Sequence, residues 1–193
     1  MRRLVLGSAA GLALLSAPAA AAPVVRPGIA RLEGRFAMTG RVTRAVHVHG
    51  EHVGQTVHRA WTFTSACSSG PCRSVKLVRQ RQSGADTLML NRISPGYYEG
   101  NGKFFAPLRC ARRTYRRGVS VPFTIQVHVT AATLSGGRVL ATAIRAQYTN
   151  RSRRNHTRCV FIPGHDAARY TGVPAIGLPA APAALSGLSP AGS

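Results

Sequence analysis

The sequence predicts an all-β domain: an antiparallel β-sandwich or small flattened barrel of about seven or eight strands. Three observations predict it. Apolar and polar residues alternate with a period of two through most of the chain, and turn-forming residues recur at short intervals between the alternating runs. No segment after the N-terminal leader carries a convincing helical period. One apolar and one polar face per strand suits an antiparallel sheet with a solvated side better than a parallel sheet buried on both. Periodicity alone leaves sandwich and barrel open.

Each element follows from that alternation. Over residues 32–48 the even positions include Leu32, Phe36, Met38, Val42, Val46 and Val48, and the odd ones Glu33, Arg35, Thr39, Arg41 and Thr43. Arg44 is the one exception, and Gly40 is the expected bend. Val57, Trp61 and Phe63 share a second strand's apolar face, opposite His58, Thr62 and Thr64. Residues 74–82 and 87–93 read as a hairpin around Ser83-Gly84-Ala85-Asp86. Gly100-Asn101-Gly102 predicts a tight turn between two short strands within residues 97–105. Residues 121–131 form the clearest strand, with Val121, Phe123, Ile125, Val127 and Val129 on one face and Thr124, Gln126, His128 and Thr130 on the other. Ser135-Gly136-Gly137 then turns the chain into residues 138–149, where Leu140, Ile144, Ala146 and Tyr148 face inward. A short turn of helix is expected around residues 165–169, capped by Asp166.

The N-terminus reads as a secretory signal peptide over residues 1–21. Met1-Arg2-Arg3 precedes an apolar run, then Ser16-Ala17-Pro18 and four alanines, the basic, apolar and small-residue parts of such a leader. Ala19 and Ala21 supply the small side chains before the cut, and Ala22 begins the mature chain. Gly7, Gly11 and Pro18 interrupt the apolar run, which falls short of the roughly 20 residues a spanning helix needs. No cysteine follows the leader to carry a lipid. The expected location is therefore secreted, extracellular or associated with the cell envelope, with no transmembrane span in the mature chain and no cytoplasmic nucleic acid as partner. Removing Arg2 and Arg3 leaves 24 of 26 basic residues against five acidic ones, a formal charge of +19. The expected order is an N-terminal linker over 22–31, a β domain over 32–172 and a disordered, uncharged Ala/Pro-rich tail over 173–193.

Four cysteines in an exported chain argue for two disulfides. They allow three pairings. Cys67 and Cys72 bracket the turn-forming Ser68-Ser69-Gly70-Pro71, which favours Cys67–Cys72 and therefore Cys110–Cys159. The chain-entropy estimate gives about 2 kcal/mol for the small loop and about 4 kcal/mol for the large one. A zinc site is the competing reading, but the spacing matches no common finger.

The run Trp61-Thr62-Phe63 to Cys67, then Gly70-Pro71-Cys72, a basic strand, the segment 97–105 and Cys110 resembles uncharacterised secreted or extracytoplasmic β domains of high-GC Gram-positive bacteria. Similar segments occur in the outer portions of some membrane-anchored signalling proteins. The resemblance spans residues 57–160 and implies a disulfide hairpin beside a buried tryptophan. It transfers no catalytic residue. The excess of 24 arginines over two lysines also fits a high-GC genome.

Four kinds of chemistry are open to such a chain. Arg109, Arg112, Arg113, Arg116 and Arg117 surround Cys110, while Arg151, Arg153, Arg154 and Arg158 precede Cys159. Pairing those cysteines would gather nine arginines into a face for phosphate or carboxylate polymers. The partners available outside the cell are anionic wall polymer, anionic lipid headgroups and extracellular DNA. The alternative is a solvated surface enriched by codon bias. A metal site is the second candidate, because His47 and His49 at alternate positions of a strand would project together, with His52 and His58 nearby. They fall on the polar face, however, where histidine needs no special reason, and Glu51 is their only acidic companion. For catalysis the chain offers only Glu33, Glu51, Asp86, Glu99 and Asp166, with no nucleophile elbow, phosphate loop or zincin motif. A small-ligand cavity inside a barrel, as in lipocalins, is the fourth. The expectation is thus a non-catalytic, cofactor-free binding or structural module at the cell envelope, contacting polyanions through an Arg-rich face. The alternative is a small-ligand carrier with a barrel cavity.

Overall fold

Side chains that alternate along every strand can share one dry interior only if the sheet curls until its first and last strands meet. That is the arrangement found. The computed structural model describes residues 25–81 and 84–175; the expected leader and all but the first residues of the expected tail lie outside them. The strands are β1 (Gly34–Val46), β2 (Thr56–Ser65), β3 (Ser74–Arg81), β4 (Gly84–Ser94), β5 (Tyr97–Cys110), β6 (Arg113–Ser135), β7 (Arg138–Asn150), β8 (Arg154–Asn155) and β9 (His165–Pro174). Eight of them close into an antiparallel barrel in the order β1-β2-β3-β4-β5-β6-β7-β9, with β9 pairing back onto β1. The two-residue β8 adds to β6 outside this ring. Both expected disulfides are present, Cys67–Cys72 and Cys110–Cys159, with Cα atoms 5.5 and 5.9 Å apart. No helix among the described residues is long and apolar enough to cross a membrane.

The interior fills with the apolar face read from each strand. Phe36, Met38, Trp61, Phe63, Val75, Leu77, Leu90 and Ile125 are all buried. Phe63 meets Phe36 edge to face at 5.4 Å between centroids, and Trp61 lies 5.3 Å from Tyr170. One end of the barrel is closed by the N-terminal segment. A 3-10 turn, Pro27–Ile29, leads into Ala30, Arg31 and Leu32, all buried. Arg31 exchanges backbone hydrogen bonds with Val139 and Ala141 at 2.8 and 3.0 Å. Within the stretch expected as a linker, Ala30 and Arg31 thus pack onto the barrel.

One exception is explained and three local readings change, each for an identifiable physical reason. Arg44 broke the period because the β1–β9 register shifts between Val42 and Arg44; the bulge absorbs one residue and turns the arginine outward. Gly100 and Gly102 are not a turn but interior positions of the continuous strand β5. A Cβ at Gly102 would collide with the Phe123 ring, and one at Gly100 with the Met89 carbonyl. Asp86 lies in β4, opposite Arg79, instead of in the β3–β4 turn. Residues 165–169 form the start of β9, not a helical turn, because Asp166, Ala168 and Tyr170 alternate inward and the strand must close the barrel between β1 and β7. The glycine pair after Ser135 does turn as expected, with φ of 55° and 73° at Gly136 and Gly137.

Candidate functional site: a basic arm and a charged barrel mouth

β5 and β6 are longer than the barrel needs. β7 joins β6 only from Thr124 onward, whereas β5 pairs with β6 from Tyr97 to Cys110. The excess projects beyond the open end as a two-stranded arm, with Ala111 at its tip in the left-handed region at φ 51°. The long connection from β7 to β9 lies along this arm. There β8 pairs with Val119 and Ser120, His156 donates its backbone N–H to the Gly118 carbonyl at 2.8 Å, and Cys159 is bonded to Cys110. Asn155 organises the same loop. Its amide donates to the Cys159 carbonyl at 2.7 Å and its oxygen accepts from the Thr157 N–H and hydroxyl, each at 2.8 Å.

This scaffold brings eight of the nine predicted arginines together on exposed positions: Arg109, Arg112, Arg113, Arg116, Arg117, Arg151, Arg154 and Arg158. Two are steadied by rings, Arg117 over Phe105 at 4.0 Å and Arg113 over Tyr115 at 5.0 Å. No acidic residue occurs in the sequence between Glu99 and Asp166, so the arm and its loop carry positive charge only. Arg153 is the exception among the nine. It turns into the barrel and donates to Asp166 at 2.7 Å, with its side chain 14% exposed. Just past Cys159, Val160 is fully exposed and Ile162 62% exposed.

Beneath the arm, the barrel mouth holds a charged cavity of about 290 Å³. Arg79 is 5% exposed and Asp86 9%. They pair through two hydrogen bonds of 2.7 and 2.9 Å, and Arg81 reaches the same carboxylate at 2.7 Å. The Arg79 guanidinium lies 4.0 Å from the Phe123 centroid and that of Arg81 4.0 Å from Phe104. Across the cavity Asp166 accepts from Arg153 at 2.7 Å. Burial, then the Asp166 charge, pushes the Tyr148 phenol well above its usual range. Glu51, on the β1–β2 loop at the rim, is raised above the ordinary 4.5 by desolvation and then by Asp166.

Arg79 and Asp86 escaped notice as a site, although a signal was present. Each continues the inward register of its strand, after Val75 and Leu77 in one case and before Leu88 and Leu90 in the other. A charge on an apolar face of each arm of one hairpin is the mark of an internal ion pair. The histidines behave differently from expectation. β1 ends at Val46, and His47 adopts a left-handed φ of 52°, so His47 and His49 do not share a strand face. His49 instead borders the cavity. Among the described residues no group of three or more His, Cys, Asp or Glu side chains is placed to hold a metal ion.

The remaining acids are occupied structurally: Glu33 pairs with Arg31, and Glu99 accepts from Gln126 at 2.8 Å. On the outer wall a groove of about 760 Å³ crosses β1, β9, β7 and β6. Thr39, Thr171, Arg145, His128 and Tyr97 form one cross-strand row along it, and the last two rings stack 4.0 Å apart. The chain matches no protein-family model, and no curated protein matches it in sequence.

Proposed function

We propose that the mature protein is an extracytoplasmic, non-catalytic binding module whose basic arm engages polyanions at the cell envelope. The observation that carries this reading is the Cys110–Cys159 bond, which fixes arginines from two distant stretches of sequence on one acid-free projection. Guanidinium groups held on a rigid hairpin lose little freedom on meeting phosphate or carboxylate, and each can bind bidentately. The exposed Val160 and Ile162 beside them favour anionic lipid headgroups over wall polymer or extracellular DNA, because only a bilayer offers an apolar layer behind its phosphates.

Sedimentation with vesicles tests this. The protein is expected to bind phosphatidylglycerol vesicles and not phosphatidylcholine vesicles, and to lose binding when Arg112, Arg113, Arg116 and Arg117 are replaced by Gln. Val160→Ser with Ile162→Ser should weaken vesicle binding while leaving retention by soluble polyphosphate unchanged. Vesicle binding unaffected by that pair would move the partner from headgroup to polymer. Indifference to all three anions, lipid, polyphosphate and DNA, would remove the arm as a binding surface.

A further inference from the structure

The barrel mouth carries a second site, apart from the exposed arginines of the arm. Its lining is unusual for a β-barrel interior, because guanidinium groups and carboxylates stand among aromatic rings. Arg59, Arg79, Arg81 and Arg153 border the cavity, against Glu51 and Asp166 on its wall and Asp86 behind Arg79 and Arg81. Four cations thus face three anions, a formal excess of one positive charge. Arg79, Arg81 and Arg153 are held by Asp86 and Asp166. Arg59 is held differently. It occupies an inward position of β2 between Val57 and Trp61, and its guanidinium donates to the His58 carbonyl at 2.9 Å. Among the described residues it makes no ion pair; Glu51 on the same wall feels its charge without contacting it.

Below these charges the floor is apolar and aromatic, formed by Trp61, Tyr170, Tyr148 and Phe104. A volume of about 290 Å³ is ample for a six-membered ring, since a cavity of roughly 150 Å³ already admits benzene. From this arrangement we infer that the barrel mouth binds a small organic monocarboxylate, its planar carboxylate at Arg59 and its apolar body on the Trp61–Tyr170 floor. A single excess positive charge suits a monoanion better than a phosphate dianion. A planar fork of N–H donors matches a carboxylate in both shape and charge.

Trp61 is the sole tryptophan of the chain and lies in the floor, so its fluorescence reports the site directly. The full mature protein would be titrated with benzoate, and with benzamide as the neutral isostere. A saturable change with benzoate, little response to benzamide, and binding weakened about tenfold or more in Arg59→Gln are expected. Arg59→Lys should recover part of the loss, which separates the charge from any general disturbance of the strand. Replacing Arg112, Arg113, Arg116 and Arg117 by Gln should leave the titration unchanged, so this site and the arm stand or fall separately. The inference is overturned by any of three results: no saturable change up to about 10 mM benzoate, an equal response to benzamide, or an undiminished response in Arg59→Gln.

Discussion

Arg79 and Asp86 face each other across the β3–β4 hairpin and join through two hydrogen bonds inside the barrel. Little of either charge reaches water. Replacing Asp86 by Ala leaves Arg79 buried without its counter-ion, and should lower unfolding stability by about 3–5 kcal/mol. Arg79→Met with Asp86→Leu should cost less than Asp86→Ala alone, because the pair's mutual attraction mainly offsets its own desolvation. Urea midpoints of the three proteins check this. A single variant as stable as the wild type would contradict it.

Gly102 lies under the Phe123 ring, where a methyl group has no room. Gly102→Ala should destabilise by about 1–3 kcal/mol through overpacking. Phe123→Leu is expected to recover some of that loss in the double variant, although by itself it removes core volume. Additive losses in thermal unfolding would show that the two positions do not contact.

The Cys110–Cys159 bond spans 49 positions of sequence and ties the arm to the β7–β9 loop. Converting both cysteines to Ser should cost about 4 kcal/mol on the chain-entropy estimate. It should also weaken polyanion binding although every arginine remains, because the two clusters are no longer held together. Binding unchanged in the reduced or Ser variant would mean that one cluster suffices.

Glu51 supplies a pH dependence of defined sign. Its folded pKa is raised above 4.5 by desolvation and by Asp166, with Arg153 and Arg59 opposing the shift. A carboxyl that holds its proton more tightly when folded destabilises the fold once pH exceeds both values, and that penalty fades as pH falls through the folded pKa toward the ordinary one. Glu51→Gln should therefore be more stable than wild type at neutral pH, with the difference closing by about pH 3. A difference that grows on acidification would reverse the assignment.

The strand faces were legible because burial on one side enforces alternation. Val121, Phe123, Ile125, Val127 and Val129 are all buried as read. The disulfides were legible because a four-residue turn leaves Cys67 and Cys72 few other partners. What escaped was information that resides in the neighbour. Gly100-Asn101-Gly102 carries the letters of a turn, and only the positions of Phe123 and Met89 show that it is a strand relieved of side chains. Asp166 resembles a helix cap until β9 is seen to close the barrel between β1 and β7. Closure itself depends on a pairing between the first and last strands, which no local window contains. Within the candidate site, the clusters around Cys110 and Cys159 could be read from spacing. The inward turn of Arg153 depends on Asp166 waiting inside, and spacing carries no trace of that.

The arm's role is tested most directly by its retention on immobilised heparin across a salt gradient. A rigid, acid-free cluster of arginines should hold the protein to about 0.3 M salt or beyond, where unorganised surface charge is already well screened. Replacing Arg112, Arg113, Arg116 and Arg117 by Gln should bring elution to low salt, with the fold intact by circular dichroism. Elution of the wild type at low salt, unchanged by these substitutions, would contradict the account.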